Sequence, residues 1–392
     1  MNRFLKHRWV PAAALMTLVL AANGMATGAD RYVIANDDQS GFILASVTFY
    51  TVSPAGQLTL SKRVGTGGNG ISGGFFGTNR LAALSSGNKQ CVFSSEAGSG
   101  DIVFIDVALL TATGRAKGSD TDAGTSNGIG LAANDQYLYA SYTDSNTIGT
   151  FAVKAGCGLT FLNDTPVAGL NGGIINSMAV HGNLLVATYT DGSIESFDIS
   201  GGTPVSNGDG QLSTATVRSQ DASYPNSVDI TSDGRFAIFG DTSTSLVVEV
   251  SHIVSGKLSK TVVYKSTAST SSSNVMLSPD ETVLYVTNTQ GDAVSAVFFN
   301  KATGKLTPGC TSGPLRGQSS QWSYLAGLAS MEATGNGGGV YVAEFGGPSG
   351  IGVVRLNSSG QTCSLQEDAK SPISDPNSPG LLSIGSFPPR AF

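Results

Sequence analysis

Histidine is nearly missing from this chain, with three residues in 392. His7 falls in the leader described below. His181 and His252 remain, too few for a histidine metal site. Charge is also sparse: 13% of residues are charged, the net charge is −6, and Lys and Arg form no cluster in the body of the chain. Nucleic acid and anionic membrane surfaces are therefore not expected as partners, because both require basic patches. There is no CxxC pair, no P-loop and no DxDxDG calcium loop. Beyond the first thirty residues, no apolar run is long enough to cross a bilayer.

The N-terminus has the form of a secretory leader. Arg3, Lys6 and Arg8 precede a mostly apolar run over 9–22, and small residues at Gly24, Ala26 and Ala29 offer cleavage sites. Residues 1–29 are expected to be a signal peptide and 30–392 one domain, secreted or periplasmic. Four cysteines, Cys91, Cys157, Cys310 and Cys363, are spread along the chain. In an oxidising compartment they suit two disulfides better than a metal site. Three pairings are possible; positions in consecutive units favour Cys310 with Cys363 and Cys91 with Cys157.

Glycine is abundant, at 51 residues, and the chain repeats. The stretch 278–306 shows the unit most clearly. A Ser278-Pro279-Asp280-Glu281 turn leads into the β-branched and aromatic strand Val283-Leu284-Tyr285-Val286-Thr287, a second turn over 288–292, and a further strand over 293–299. Corresponding strands begin at Tyr32, Val92, Tyr137, Leu184, Phe236 and Val340, making seven copies. Asn79, Asn127, Asn176, Asn226 and Asn274 mark a second register, spaced by 48, 49, 50 and 48 residues. A steady period near 50, with three or four short strands per unit and alternating polarity, predicts an all-β fold, a seven-bladed β-propeller of four-stranded antiparallel blades. The blades are expected at 31–64 with 379–387, then 74–119, 127–168, 176–217, 226–264, 274–308 and 325–369. The first unit lacks an inner strand, and the strand-like 381–385 is expected to supply it and close the ring. The connections 65–77 and 309–326 are the longest, which makes them candidates for function.

The phrases Ser278-Pro279-Asp280-Glu281-Thr282-Val283-Leu284-Tyr285-Val286-Thr287-Asn288 and Thr231-Ser232-Asp233-Gly234-Arg235-Phe236 resemble the SPDG-x-x-LYVTN repeat of the seven-bladed lactonase-like propellers, a family of 6-phosphogluconolactonases, muconate-lactonising enzymes and secreted proteins with YVTN repeats. The resemblance spans the mature chain and implies the fold and lactone chemistry. It also implies His and Arg on the channel face, with His near the start of an inner strand. Here those positions hold asparagine, so the family's histidine has no counterpart.

Candidate chemistry follows from the blade map. Loops between outer and next inner strands share a face with loops between second and third strands, and that face is a propeller's usual ligand mouth. Asn79, Asn127, Asn176, Asn226 and Asn274 ring it with amide donors and acceptors, or else cap a repeated turn. Trp322 and Tyr324 lie in mouth-side loops and are candidates to stack on a ligand. Asp37, Glu96, Asp144, Asp191, Asp241, Asn288 and Glu344 each follow a second strand, as cation or sugar ligands or as solvated turn residues. Without histidine, a hydrolase here needs a carboxylate to activate water and an Arg or Asn for the oxyanion. Glu96 with Arg80 and Glu344 with Arg316 fit, the bland alternative being surface ion pairs. Two functions are in view: hydrolysis of a small non-phosphorylated lactone or sugar-derived ester, or non-catalytic binding of a small molecule, glycan or protein. No metal or other cofactor is expected, and the protein is expected to be a monomer.

Overall fold

The computed structural model describes residues 31–37, 45–71, 79–119, 128–213, 224–242, 246–259, 261–266, 272–288, 292–317, 324–329, 338–345, 350–359, 362–375, 377, 380–381 and 383–390. The expected signal peptide, Asn127 and Trp322 lie outside these residues, as does the side chain of Tyr324.

The repeat turns of the fifth and sixth units are fastened by their own side chains. In the sixth unit the Ser278 hydroxyl accepts the Val283 amide at 3.0 Å and donates to Asp280 at 2.7 Å. In the fifth, Thr231 accepts the Phe236 amide at 3.1 Å and donates to Asp233 at 2.8 Å. The strand launched by the turn is the second of its blade. Phe236–Thr242, Val283–Asn288 and Leu184–Tyr189 are buried along almost their whole length, because a neighbouring blade covers each face of the sheet. That explains why these strands read as continuous apolar runs.

Seven antiparallel sheets form the ring. Blade 1 contains Tyr32–Asn36, Ser46–Val52 and Leu58–Gly65; blade 2 contains Leu81–Ser86, Lys89–Glu96, Asp101–Asp106 and Thr111–Lys117. Blade 3 runs from Ile129–Ala133 to Leu159–Pro166, blade 6 from Ser272–Leu277 to Lys305–Thr311, and blade 7 from Tyr324–Ala329 to Thr362–Glu367. Blades 4 and 5, starting at Ile175–His181 and Tyr224–Ile230, follow the same plan with a divided outer edge: Val205–Ser206 and Gln211–Leu212 in one, Lys257–Leu258 and Val262–Ser266 in the other.

The ring closes as the sequence suggests, two residues further along. Ser383–Phe387 pairs antiparallel with Tyr32–Asn36, from Asn36 opposite Ser383 to Tyr32 opposite Phe387. A shift of two keeps every side chain on its expected face. Leu381, expected to start the strand, instead packs into the apolar cluster between blades 7 and 1 with Val33, Tyr341 and Ile384.

Neighbouring blades are fastened by contacts from a second strand to the next blade's outer hairpin. Tyr139 donates to the Gly202 carbonyl at 3.0 Å, and Tyr341 to that of Gly56 at 2.9 Å. Cys91 makes the same kind of link covalently with Cys157, at a Cα separation of 5.4 Å. The second disulfide, Cys310–Cys363, joins the outer strands of blades 6 and 7 at 5.7 Å. Cys310 sits near the end of its strand, Lys305–Thr311.

Removing residues 381–392 should abolish the single cooperative thermal transition, followed by circular dichroism; a truncated chain that melts like the full one would refute the closure. Cys91→Ser with Cys157→Ser should lower the unfolding free energy in urea by about 2–4 kcal/mol, the usual contribution of a disulfide closing a loop of this size.

Candidate functional site

The seven inner strands surround a central channel with a cavity of about 230 Å³. Each inner strand starts at one opening, here the upper mouth, and ends at the lower. Each also stands at the end of its sheet, paired on one side only. Its outer edge, paired with no other strand, therefore turns to the channel, where some of its amides bond the neighbouring blade, that of Leu131 to the Asn79 carbonyl and that of Val275 to Ser227 Oγ. The side chains between these edges are mostly small or apolar, including Ala83, Ala133, Met178, Ala179 and Met276. Polar groups gather at the upper end, where Asn79, Ser177, Ser227, Asn274 and Ser383 line the cavity. Among the described lining residues, only Asp229 and Arg390 carry charge, and both lie toward the lower mouth.

The asparagines at the inner-strand starts bridge from blade to blade. Asn176 donates to Asn226 Oδ1 at 2.8 Å, and Asn226 donates to Ser273 Oγ at 3.0 Å. Asn274 reaches the Leu325 carbonyl at 3.4 Å, and Asn79 accepts from Ser383 Oγ at 3.2 Å. These contacts join blades 4 to 5, 5 to 6, 6 to 7 and 1 to 2. Asn176 is fully buried and Asn226 and Asn274 nearly so, whereas Asn79 is exposed at the rim.

The carboxyl-rich set lies at or just beyond the second-strand ends, and several members fasten turns. Asp37 takes bonds from the Ser46 amide and hydroxyl, both at 2.6 Å, and an ion pair from Arg63 at 3.3 Å. Asp191 collects the amides of Asn171, Gly173 and Ser193 and the Ser193 hydroxyl. Burial opposes its ionisation, but these donors prevail and hold its carboxyl below the usual range. Asn288 donates to Ser295 Oγ and the Ala293 carbonyl.

Arg80 and Glu96 are fully buried in blade 2, just behind the rim. Arg80 directly follows Asn79, and its carbonyl accepts the Ser95 amide at 3.0 Å. That register sets Glu96 opposite Asn79 and on the other face of the sheet from Arg80, Glu96 lying against Gly68 and Arg80 against Gly128. Both side chains need glycine neighbours. A Cβ on Gly68 would stand 2.7 Å from Glu96 Cγ, and one on Gly128 about 3.2 Å from the Arg80 guanidinium.

Glu344 ends the second strand of blade 7 and is also fully buried. Its carboxylate is pressed between Gly317 and Gly352, where a Cβ would stand 1.8 Å and 2.1 Å from its oxygens. Burial, with Glu367 nearby, pushes its pKa up to about 8. Arg316 is near enough to temper that shift, but its guanidinium pairs with Glu367 at 3.2 Å and donates to the carbonyls of Asp368 and Ala369. Arg316 and Glu344 thus share a neighbourhood while Arg316 is bound elsewhere. None of Arg80, Glu96, Arg316 and Glu344 lines the central cavity.

Sequence reasoning did not find the lower end of the channel. Arg390 forks onto Asp229 there, at 2.7 and 3.0 Å. The only sequence cue is an arginine placed just after the closing strand.

The fold and channel agree with comparisons to known proteins. The profile of the lactonase seven-bladed β-propeller family matches residues 95–376. No curated protein sequence matches significantly. Among solved structures, a Lactobacillus plantarum protein superimposes with a TM-score of 0.69 at 13% identity, covering 91% of this chain and 99% of that one. The periplasmic gluconolactonase of Pseudomonas aeruginosa gives 0.66 at 14%, over 91% and 99%. A proposed 6-phosphogluconolactonase from Bacteroides fragilis gives 0.65 at 14%, over 92% and 99%. At such identities the structures speak for the fold alone, whereas the profile spans most of the sequence: the chain belongs to the lactonase seven-bladed β-propeller family.

Proposed function

We propose that this is an exported lactonase that opens a small, hydroxyl-rich, non-phosphorylated lactone at the upper mouth of its channel. The observation that carries the proposal is the mouth itself, where amides and hydroxyls of Asn79, Ser177, Ser227, Asn274 and Ser383 line the cavity above strand edges that pair with no other strand. Such a surface offers donors and acceptors at many angles and suits a sugar-derived ring. A phosphate would call for a free cation, and no described residue at the rim is cationic. Export is supported by the leader-like N-terminus and the two disulfides.

Blade 2 is the favoured source of the chemistry. Glu96, across the sheet from Asn79, would draw the proton from an attacking water, and the exposed Asn79 amide at the rim would stabilise the oxyanion formed at the lactone carbonyl. The ring C–O bond would then break, and the new alkoxide would take up the proton. Glu344 is less suited to act as a base, because with a pKa near 8 it keeps its proton at neutral pH. We assign it a structural role, a neutral acid buried beneath two glycines.

Hydrolysis of glucono-1,5-lactone, followed by acid release with a pH indicator, should exceed that of its 6-phosphate in kcat/KM by about tenfold or more. Glu96→Gln should lower kcat by about 10²–10⁴. No turnover of aldonolactones, together with a thermal shift from a glycan panel, would favour the binding alternative. For Glu344 the sign follows from its raised pKa. The folded state holds the proton more tightly than the unfolded chain, so stability is highest below about pH 4.5 and is lost as the pH rises through about 8. The difference in Tm, Glu344→Gln minus wild type, should therefore grow steadily between pH 5 and pH 9; a flat difference would remove Glu344 from this role.

A further inference from the structure

At the lower mouth the chain leaves the closing strand, and Pro389 and Arg390 extend along the cavity. Arg390 reaches from blade 1 to blades 5 and 6. Two of its nitrogens bond the two oxygens of Asp229, and one also donates to the Ile230 carbonyl. Its Nε lies 3.8 Å from Glu281. Parallel N–H groups on one carboxylate, with a carbonyl and a second carboxylate beside them, match a planar guanidinium and not an ammonium.

The receiving side is organised as well. Asp229 is oriented by the amides of Ile230 at 2.8 Å and Leu277 at 2.9 Å. Glu281, 1% exposed, accepts the Ser232 amide and hydroxyl and pairs with Lys301 at 2.5 Å. The backbone departs from a cheaper alternative to place it. Glu281 has φ +55°, where the equivalent turn in blade 5 uses Gly234 at +67°. A non-glycine residue in the left-handed region is held at about 1 kcal/mol against its preference, and the carboxylate it carries faces Arg390. Among Asp229, Glu281, Lys301 and Arg390 the charges balance; without Arg390 a guanidinium-shaped deficit of one positive charge remains.

We propose that the lower mouth is a guanidinium-binding seat, filled in cis by Arg390, which makes the C-terminal segment a displaceable plug that leaves the channel open at its upper end only. The seat would accept other alkylguanidinium groups, such as an arginine side chain presented in trans. This inference is independent of the lactonase proposal.

Arg390→Ala in the full chain leaves the seat empty while the closing strand stays in place. Its Tm should fall by several degrees, and agmatine at millimolar concentration should restore most of the loss while leaving wild type unchanged. An amine of similar length, such as cadaverine, should not. A chain ending at Phe387 should bind the peptide Pro-Pro-Arg-Ala-Phe by calorimetry, at least about tenfold more tightly than its Lys-substituted form, and Asp229→Asn should abolish binding. Equal rescue by agmatine and cadaverine, or no rescue of a folded Arg390→Ala protein, would overturn the proposal. Full-length wild type binding the peptide as tightly as the shortened chain would also overturn it.

Discussion

The structure depends on one strand pairing, five residues long, between chain segments separated by nearly the whole sequence. Ser383–Phe387 against Tyr32–Asn36 turns a row of sheets into a ring. Bringing such distant segments together carries a loop-closure entropy of about 5 kcal/mol. Burial on both faces of every blade then offsets it, since no blade is left at the end of a row. The channel follows from the same closure, because it exists only where seven inner edges face one another.

Closure alone would leave seven sheets free to slide, and the blade-to-blade fastenings prevent that. Tyr139, Tyr341 and the Cys91–Cys157 disulfide act away from the axis, each reaching from a second strand to the next outer hairpin. The asparagines act close to it, at the upper mouth. Asn176 and Asn226 are thereby held in the wall, while the Asn79 side chain stays exposed at the rim.

Much of this was legible in the sequence, for a physical reason. A second strand covered on both faces must be apolar throughout, and a turn closed by its own Ser or Thr leaves a fixed phrase, so the blades and their count could be read from runs such as Tyr285-Val286-Thr287-Asn288. The disulfide pairing followed from the spacing of units. The asparagine register was visible, but its hydrogen bonds were not, since a residue at the start of an inner strand can face its own turn, the ligand or the next blade, and only the packing of blades decides. The pairing of Arg316 with Glu367 was hidden because it links a connection to an outer strand about fifty residues away. Arg390 and Asp229 were hidden for a similar reason: they lie 161 residues apart, and Arg390 stands outside the repeats.

Glu281 and Asp229 also bear on the order in which the molecule can be completed. Both carboxylates are in place once blades 5 and 6 have formed, but Arg390 comes later in the chain than the closing strand itself. A chain emerging in sequence would hold an open arc with an uncompensated acidic edge until Arg390 arrived. Electrostatic completion of the lower mouth would thus coincide with closure of the ring, and a chain released short of residue 390 would remain distinguishable by that charge.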